Sequence, residues 1–141
     1  MSPIPVVDIT LLRGRSRESL RTIADAVHDA LVAEFGIPVD DRFQVIHQRE
    51  PDELIFDTGF LGGPRTADFV LVRIVVGRER PVETKQALYR KLVAEIAARA
   101  RIDPENVFVV LETVKLSDFS VAGGRPFLPA HLTPEPGHEP Q

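Results

Sequence analysis

The pattern of apolar and polar positions changes period several times along the chain. Residues 6–12, VVDITLL, are mostly apolar and rich in β-branched side chains, and Gly14 punctuates their end. This run reads as a strand. From Ser16 the spacing becomes helical: Leu20, Ile23, Ala24, Val27, Leu31 and Phe35 form one apolar stripe. Ser16 suits the N-cap of that helix, and Gly36 suits its C-terminal stop. His28, between Val27 and Asp29, reads as a surface residue of the helix. After the turn IPVDD, the segment RFQVIHQ forms a second strand.

A glycine-rich loop, DTGFLGGPRTAD, separates this pattern from its repetition. FVLVRIVV (69–76) is strand-like, and Pro81 fits the first turn of a helix, where its missing N–H does no harm. Leu88, Leu92, Ile96 and Ala100 form its stripe, RIDPEN turns, and VFVVLETV (107–114) completes the set. TLLRGR at 10–15 matches RIVVGR at 73–78, and GIPVDDRFQVI matches RIDPENVFVVL. The expected fold is therefore α/β (α+β in some schemes). Two tandem β-α-β units, with halves of about 5–57 and 68–118, build a four-stranded sheet with two helices on one face. Each long crossover makes its two strands parallel. A single domain over 1–125 is expected, followed by a proline-rich tail at 126–141.

Two helices cover only one face of four strands, and those strands are apolar almost throughout, which points to burial on both faces. A second copy of the same sheet would cover the open face, so a homo-oligomer is expected. The alternative is a tail that folds over it.

Composition narrows the function classes. Apolar residues make up 43% and charged residues 27%, as in a globular protein with a core. Net charge is −4 and the Lys and Arg residues are scattered, so no basic face offers itself to nucleic acid. The chain has no cysteine, which excludes disulfides and thiolate metal sites. Asp8 and Arg73 interrupt the apolar runs far short of the ~20 residues that cross a bilayer. No secretory signal opens the sequence. A cytoplasmic protein that binds neither nucleic acid nor membrane is expected.

Among candidate groups, Arg78 and Arg80 in GRERP lie at the end of a strand and just before a helix. On an extended chain, positions i and i+2 point the same way. Two guanidinium groups there could clamp a carboxylate. The plainer alternative is a solvated strand end with Glu79 neutralising both. Asp40 and Asp41 fall in a turn, where Asp is common for local reasons. The glycine-rich loop lacks the GK[ST] ending of a phosphate loop. The four histidines show no metal-ligand spacing, so no metal is expected. Phe119 and Phe127 could line a pocket, although core packing is the usual role of such residues.

The segments PVVDITLLRGRS, FGIPVDDRFQVIHQ, DTGF, GRERPVETKQALYRKL and DFSVAGGRPFL together resemble the tautomerase superfamily. Within it they are most similar to malonate semialdehyde decarboxylase and its relatives. The resemblance implies a homotrimer and a cofactor-independent tautomerase or decarboxylase acting on small 2-oxo or 3-oxo acids. It implies that Pro5 is the catalytic proline and that Arg78 and Arg80 bind and polarise the substrate. Asp41 would position substrate or activate water. Phe119 stands where the decarboxylase branch has tryptophan and Val121 where it has phenylalanine. With Phe127 they would line the substrate pocket.

The family's proline acts through a free secondary amine at the chain start. Pro5 here follows Met-Ser-Pro-Ile, and an internal proline nitrogen is a tertiary amide with no proton to give or lone pair to use. Three readings follow. Processing exposes Pro5, the Ser2 amine folds back in its place, or the site has lost catalysis and binds small carboxylates through its arginines.

Overall fold

The computed structural model describes residues 4–127. Four strands and two long helices follow in the order β1 (Val6–Leu12), α1 (Arg17–Phe35), β2 (Phe43–Arg49), β3 (Val70–Val76), α2 (Val82–Ala100) and β4 (Val107–Thr113). Short 3-10 turns lie at Pro104–Asn106 and Leu116–Asp118. The sheet order is β2-β1-β3-β4. β1 and β2 run parallel, as do β3 and β4, whereas the central β1–β3 pair is antiparallel. These are two tandem β-α-β units joined edge to edge. Of the tail foreseen at 126–141, residues 128–141 lie outside the described residues.

Local chemistry sets the helix limits. The Ser16 hydroxyl accepts from the backbone N–H of Ser19, capping α1. Gly36 closes the helix at φ 67°, a left-handed conformation that costs glycine little. Helix α2 begins one residue after Pro81, so the proline is the N-cap rather than a first-turn residue, and it supplies no side-chain cap.

The core lies between the helices and one face of the sheet. Val7, Ile9 and Leu11 of β1 and Val70, Val72, Ile74 and Val76 of β3 pack against Ile23, Val27 and Leu31 of α1 and Leu88, Leu92 and Ile96 of α2. The other face is open. Phe43 and Val45 on β2 and Phe108 and Val110 on β4 are exposed there. Two polar contacts cross its middle: His47 Nε2 lies 2.6 Å from Asp8 Oδ1, and Arg73 pairs with Glu112 at 2.7 Å. No helix among the described residues is long and apolar enough to cross a membrane.

Candidate active site

Strand register brings the chemistry to one end of the sheet. Val6 pairs with Phe43 of β2 and with Val75 of β3. Pro5, just ahead of Val6, is therefore beside both the turn that carries Asp41 and the segment leaving β3 through Gly77 to Arg78. Pro5 is buried.

The hydrogen bond to the Asp41 carboxylate comes from main chain rather than from a side chain. Its Oδ2 accepts from the backbone N–H of Ile4 at 2.7 Å. Burial raises the Asp41 carboxyl above its ordinary range and Asp40 adds to the rise; the Ile4 N–H and His28 pull against it. Ile4 is itself 6% exposed and has φ 64°. A β-branched residue in the left-handed region is strained, at roughly 1–3 kcal/mol. The residue ahead of the proline is thus held in a costly conformation by the aspartate.

The arginines play unequal parts. The chain bends at Gly77 and Arg78, so the pair does not lie on a regular extended strand. The Arg80 guanidinium, buried at 7% exposure, lies 4.0 Å over the Phe35 ring and donates to the Arg78 carbonyl at 2.9 Å. A desolvated cation–π contact of this kind is worth about 2 kcal/mol. Arg78 is half-buried, and its Nε has no hydrogen-bond partner among the described residues. Both arginines line a cavity of about 310 Å³ beside Phe35 and Thr84. Arg78 also lines a cavity of about 710 Å³ with Thr113, Leu116 and Phe127. Glu79 does not neutralise them with its side chain. Its carboxylate pairs with Lys85, which holds it below the usual carboxylate range with help from Thr113 and the Arg80 N–H.

The aromatic wall is partly assembled. A Cβ placed on Gly77 would meet Leu116 Cδ2 at 2.8 Å and Phe119 Cε2 at 3.1 Å, so this glycine lets both side chains close over the bend beside Arg78. The Phe127 N–H donates to the Phe119 carbonyl at 3.3 Å, bringing the following segment back across. Val121 is 55% exposed and lines neither cavity. Pro5 and Asp41 also line neither of the two.

Residues 41–122 match a family model described as tautomerase enzyme, and residues 5–60 match a second model with the same description. The chain belongs to the tautomerase family. The probable tautomerase YusQ of Bacillus subtilis is 33% identical over 122 residues, covering 86% of this chain and 96% of that protein. The chain also resembles a crystal structure of malonate semialdehyde decarboxylase. The TM-score is 0.83 at 32% identity, covering 91% of this chain and 99% of the other. The FG41 malonate semialdehyde decarboxylase inhibited by 3-bromopropiolate gives a TM-score of 0.79 at 33% identity, over 85% and 91% of the two chains. A fused 4-OT solved as a symmetric trimer shares the fold, at 24% identity and a TM-score of 0.71, over 86% and 94%.

His28 departs from its sequence reading. It is buried at 4% exposure, and its Nε2 lies 2.7 Å from the Val39 carbonyl. Phe35 and Lys85 were also missed, and each of them governs a charge next to Arg78. Among the described residues no group of three or more His, Cys, Asp or Glu gathers as a metal site would require.

Proposed function

We propose that this protein is a cofactor-independent isomerase or carbon–carbon lyase that handles small 2-oxo or 3-oxo acids. The observation that carries this reading is the meeting, at one sheet end, of the Asp41 carboxyl with the chain just ahead of Pro5, beside the bend that bears Arg78. Arg78 would anchor the substrate carboxylate in the cavity it lines with Phe127. Arg80, held over Phe35, would add positive potential from behind. Phe119 would close the apolar side, with Val121 at its rim. A free Pro5 amine titrates near pH 8 in the absence of perturbation, and the two guanidinium groups lower it toward neutrality. Such an amine takes a proton from an enol oxygen and, as its conjugate acid, returns one to carbon. Asp41 would orient that amine or the substrate. The malonate semialdehyde decarboxylases among its relatives point to 3-oxo acids.

A second reading has its own observation. In the chain as it stands Pro5 follows Ile4, its nitrogen is an amide, and Asp41 is engaged by the Ile4 N–H. In that form the site would bind carboxylates without turning them over. One experiment separates the two: intact mass of the purified protein, with assays of phenylenolpyruvate ketonisation and malonate semialdehyde decarboxylation on the full chain and on a chain beginning at Pro5. Turnover by the Pro5 form alone would make the proline amine the catalyst and the full chain a masked form. Inactivity of both forms would sink the enzymatic reading and leave the binder.

We also propose a homotrimer whose interface is the open sheet face with Phe43, Val45, Phe108 and Val110. A monomeric mass by light scattering at micromolar concentration would overturn this.

A further inference from the structure

The buried histidine of α1 has no part in the function proposed above, and burying a polar ring carries a cost unless its hydrogen bonds are met. His28 meets that cost with one acceptor, the Val39 carbonyl at 2.7 Å. That acceptor is a main-chain oxygen, so His28 Nε2 must carry the proton and donate it. Val39 lies inside the turn closed by the Asp41 N–H donating to the Pro38 carbonyl at 3.0 Å. The bond therefore grips the turn that presents the Asp41 carboxyl.

Two further ties reach the same stretch from the same part of α1. The Arg42 guanidinium, next to Asp41, donates to Asp25 at 2.7 Å. Gln44 donates its side-chain amide to the Ala24 carbonyl at 2.8 Å. Ala24, Asp25 and His28 lie within a little more than one turn of helix. The Arg42 and Gln44 ties hold the chain after Asp41, and His28 alone of these three holds it before. Asp41 is clamped on both sides to a helix whose own position is fixed by the core.

We propose that His28 is a positioning residue for Asp41: by holding the Val39 carbonyl it fixes the turn so that the carboxyl meets the chain just ahead of Pro5. The role matters for catalysis only if the proposed function holds, but the geometry can be tested without any turnover. The groups facing the Asp41 carboxyl are the Ile4 N–H, Asp40 and His28, the last supplying the favourable charge that opposes burial. Arg42, its other neighbour in sequence, is turned to Asp25 and Gln44.

The test uses the full chain and three variants. In His28→Gln the amide nitrogen stands where Nε2 stood and still donates. In His28→Asn it falls short of the carbonyl, and His28→Leu fills the space with no donor. The readouts are hydrogen-exchange protection of the Ile4 amide and the titration midpoint of the Asp41 carboxyl by carbon-13 NMR. Ile4 protection should fall about tenfold in the Leu and Asn variants and stay within about threefold in Gln, the range set by one hydrogen bond. The Asp41 midpoint should rise in all three, because each removes the ring that lowers it. A purely structural histidine would lower global protection equally and leave Ile4 no worse than its neighbours. Ile4 protection unchanged in both Leu and Asn, or lost as fully in Gln, overturns the proposal. If the Leu variant does not fold, the Asn and Gln pair decides. An inactive enzyme would leave these readouts intact, so this claim and the proposed catalysis fail separately.

Discussion

The two ends of the sheet are built from the same parts, and their arginines have different neighbours. At one end, Pro5 precedes β1, Asp41 lies two residues ahead of β2, and Arg78 follows Gly77 after β3. At the other, Phe69 precedes β3, Glu105 lies two residues ahead of β4, and Arg15 follows Gly14 after β1. The far end spends its charges on itself. Arg15 pairs with Asp68 at 2.8 Å and donates to Ser19 at 3.1 Å, and Glu105 accepts from the Gly63 N–H at 2.7 Å. Phe69 is 4% exposed and stacks on Phe56 with centroids 4.3 Å apart. At the near end, Glu79 is drawn off by Lys85, leaving the Arg78 guanidinium beside a cavity of about 710 Å³. A tandem scaffold thus offers the same positions twice, and the proposed site uses the arginine whose neighbours leave it beside a cavity.

The comparison breaks most sharply on the arginines. Arg78→Ala should lower turnover by the chain beginning at Pro5 by well over tenfold, since truncating one partner of a close charge pair costs about 2–5 kcal/mol. Arg15→Ala at the far end should leave turnover unchanged and cost about 1–2 kcal/mol of stability, from one partly buried ion pair and the hydrogen bond to Ser19. Steady-state assays on phenylenolpyruvate and urea melts check both. Equal losses from the two substitutions would refute the asymmetry.

The next effect is on stability and should be alike in the two units. Leu31→Ala in α1 and Leu92→Ala in α2 remove side chains of 0% exposure and should each cost about 2–5 kcal/mol in denaturant melts.

The glycine pair sharpens the contrast. Gly77→Ala drives a methyl into Leu116 and Phe119, and should cost about 1–3 kcal/mol and raise KM by displacing the wall beside Arg78. Gly14→Ala meets open space, but its φ of 135° penalises any side chain; it should cost stability alone, with KM unchanged.

The smallest effect follows from the raised Asp41 carboxyl. Folding disfavours its charged form, so this group's stabilising contribution is complete below the ordinary value of 3.8 and is lost as pH rises through the higher folded value. Asp41→Asn should therefore be slightly more stable than the parent at neutral pH, and the gain should vanish in acid. A gain that grows as pH falls would contradict this.

Strand β1 and both caps of α1 were legible in the sequence because they depend on neighbours a few residues away, as with Ser16 and Gly36. His28 was misread, although it lies four residues after Ala24 and three before Leu31, on the buried stripe itself. A polar ring in that stripe becomes intelligible only once the turn at Val39 supplies its acceptor. The bend beside Arg78 was not legible, because the side chains that close over Gly77, Leu116 and Phe119, arrive from beyond β4. The Asp41 bond to Ile4 spans 37 residues and ends on main chain, and a main-chain donor leaves no trace in residue type.

That last bond has an engineering consequence. A carboxylate that grips an amide N–H does not read the side chain of that residue, so this anchor should survive any substitution of Ile4 that its buried, left-handed position can hold, and be lost with proline, which has no N–H to offer. Glycine there would remove the left-handed penalty carried by Ile4 and anchor more comfortably. Tags or peptide cargo appended upstream would then inherit a docking point that does not depend on their composition.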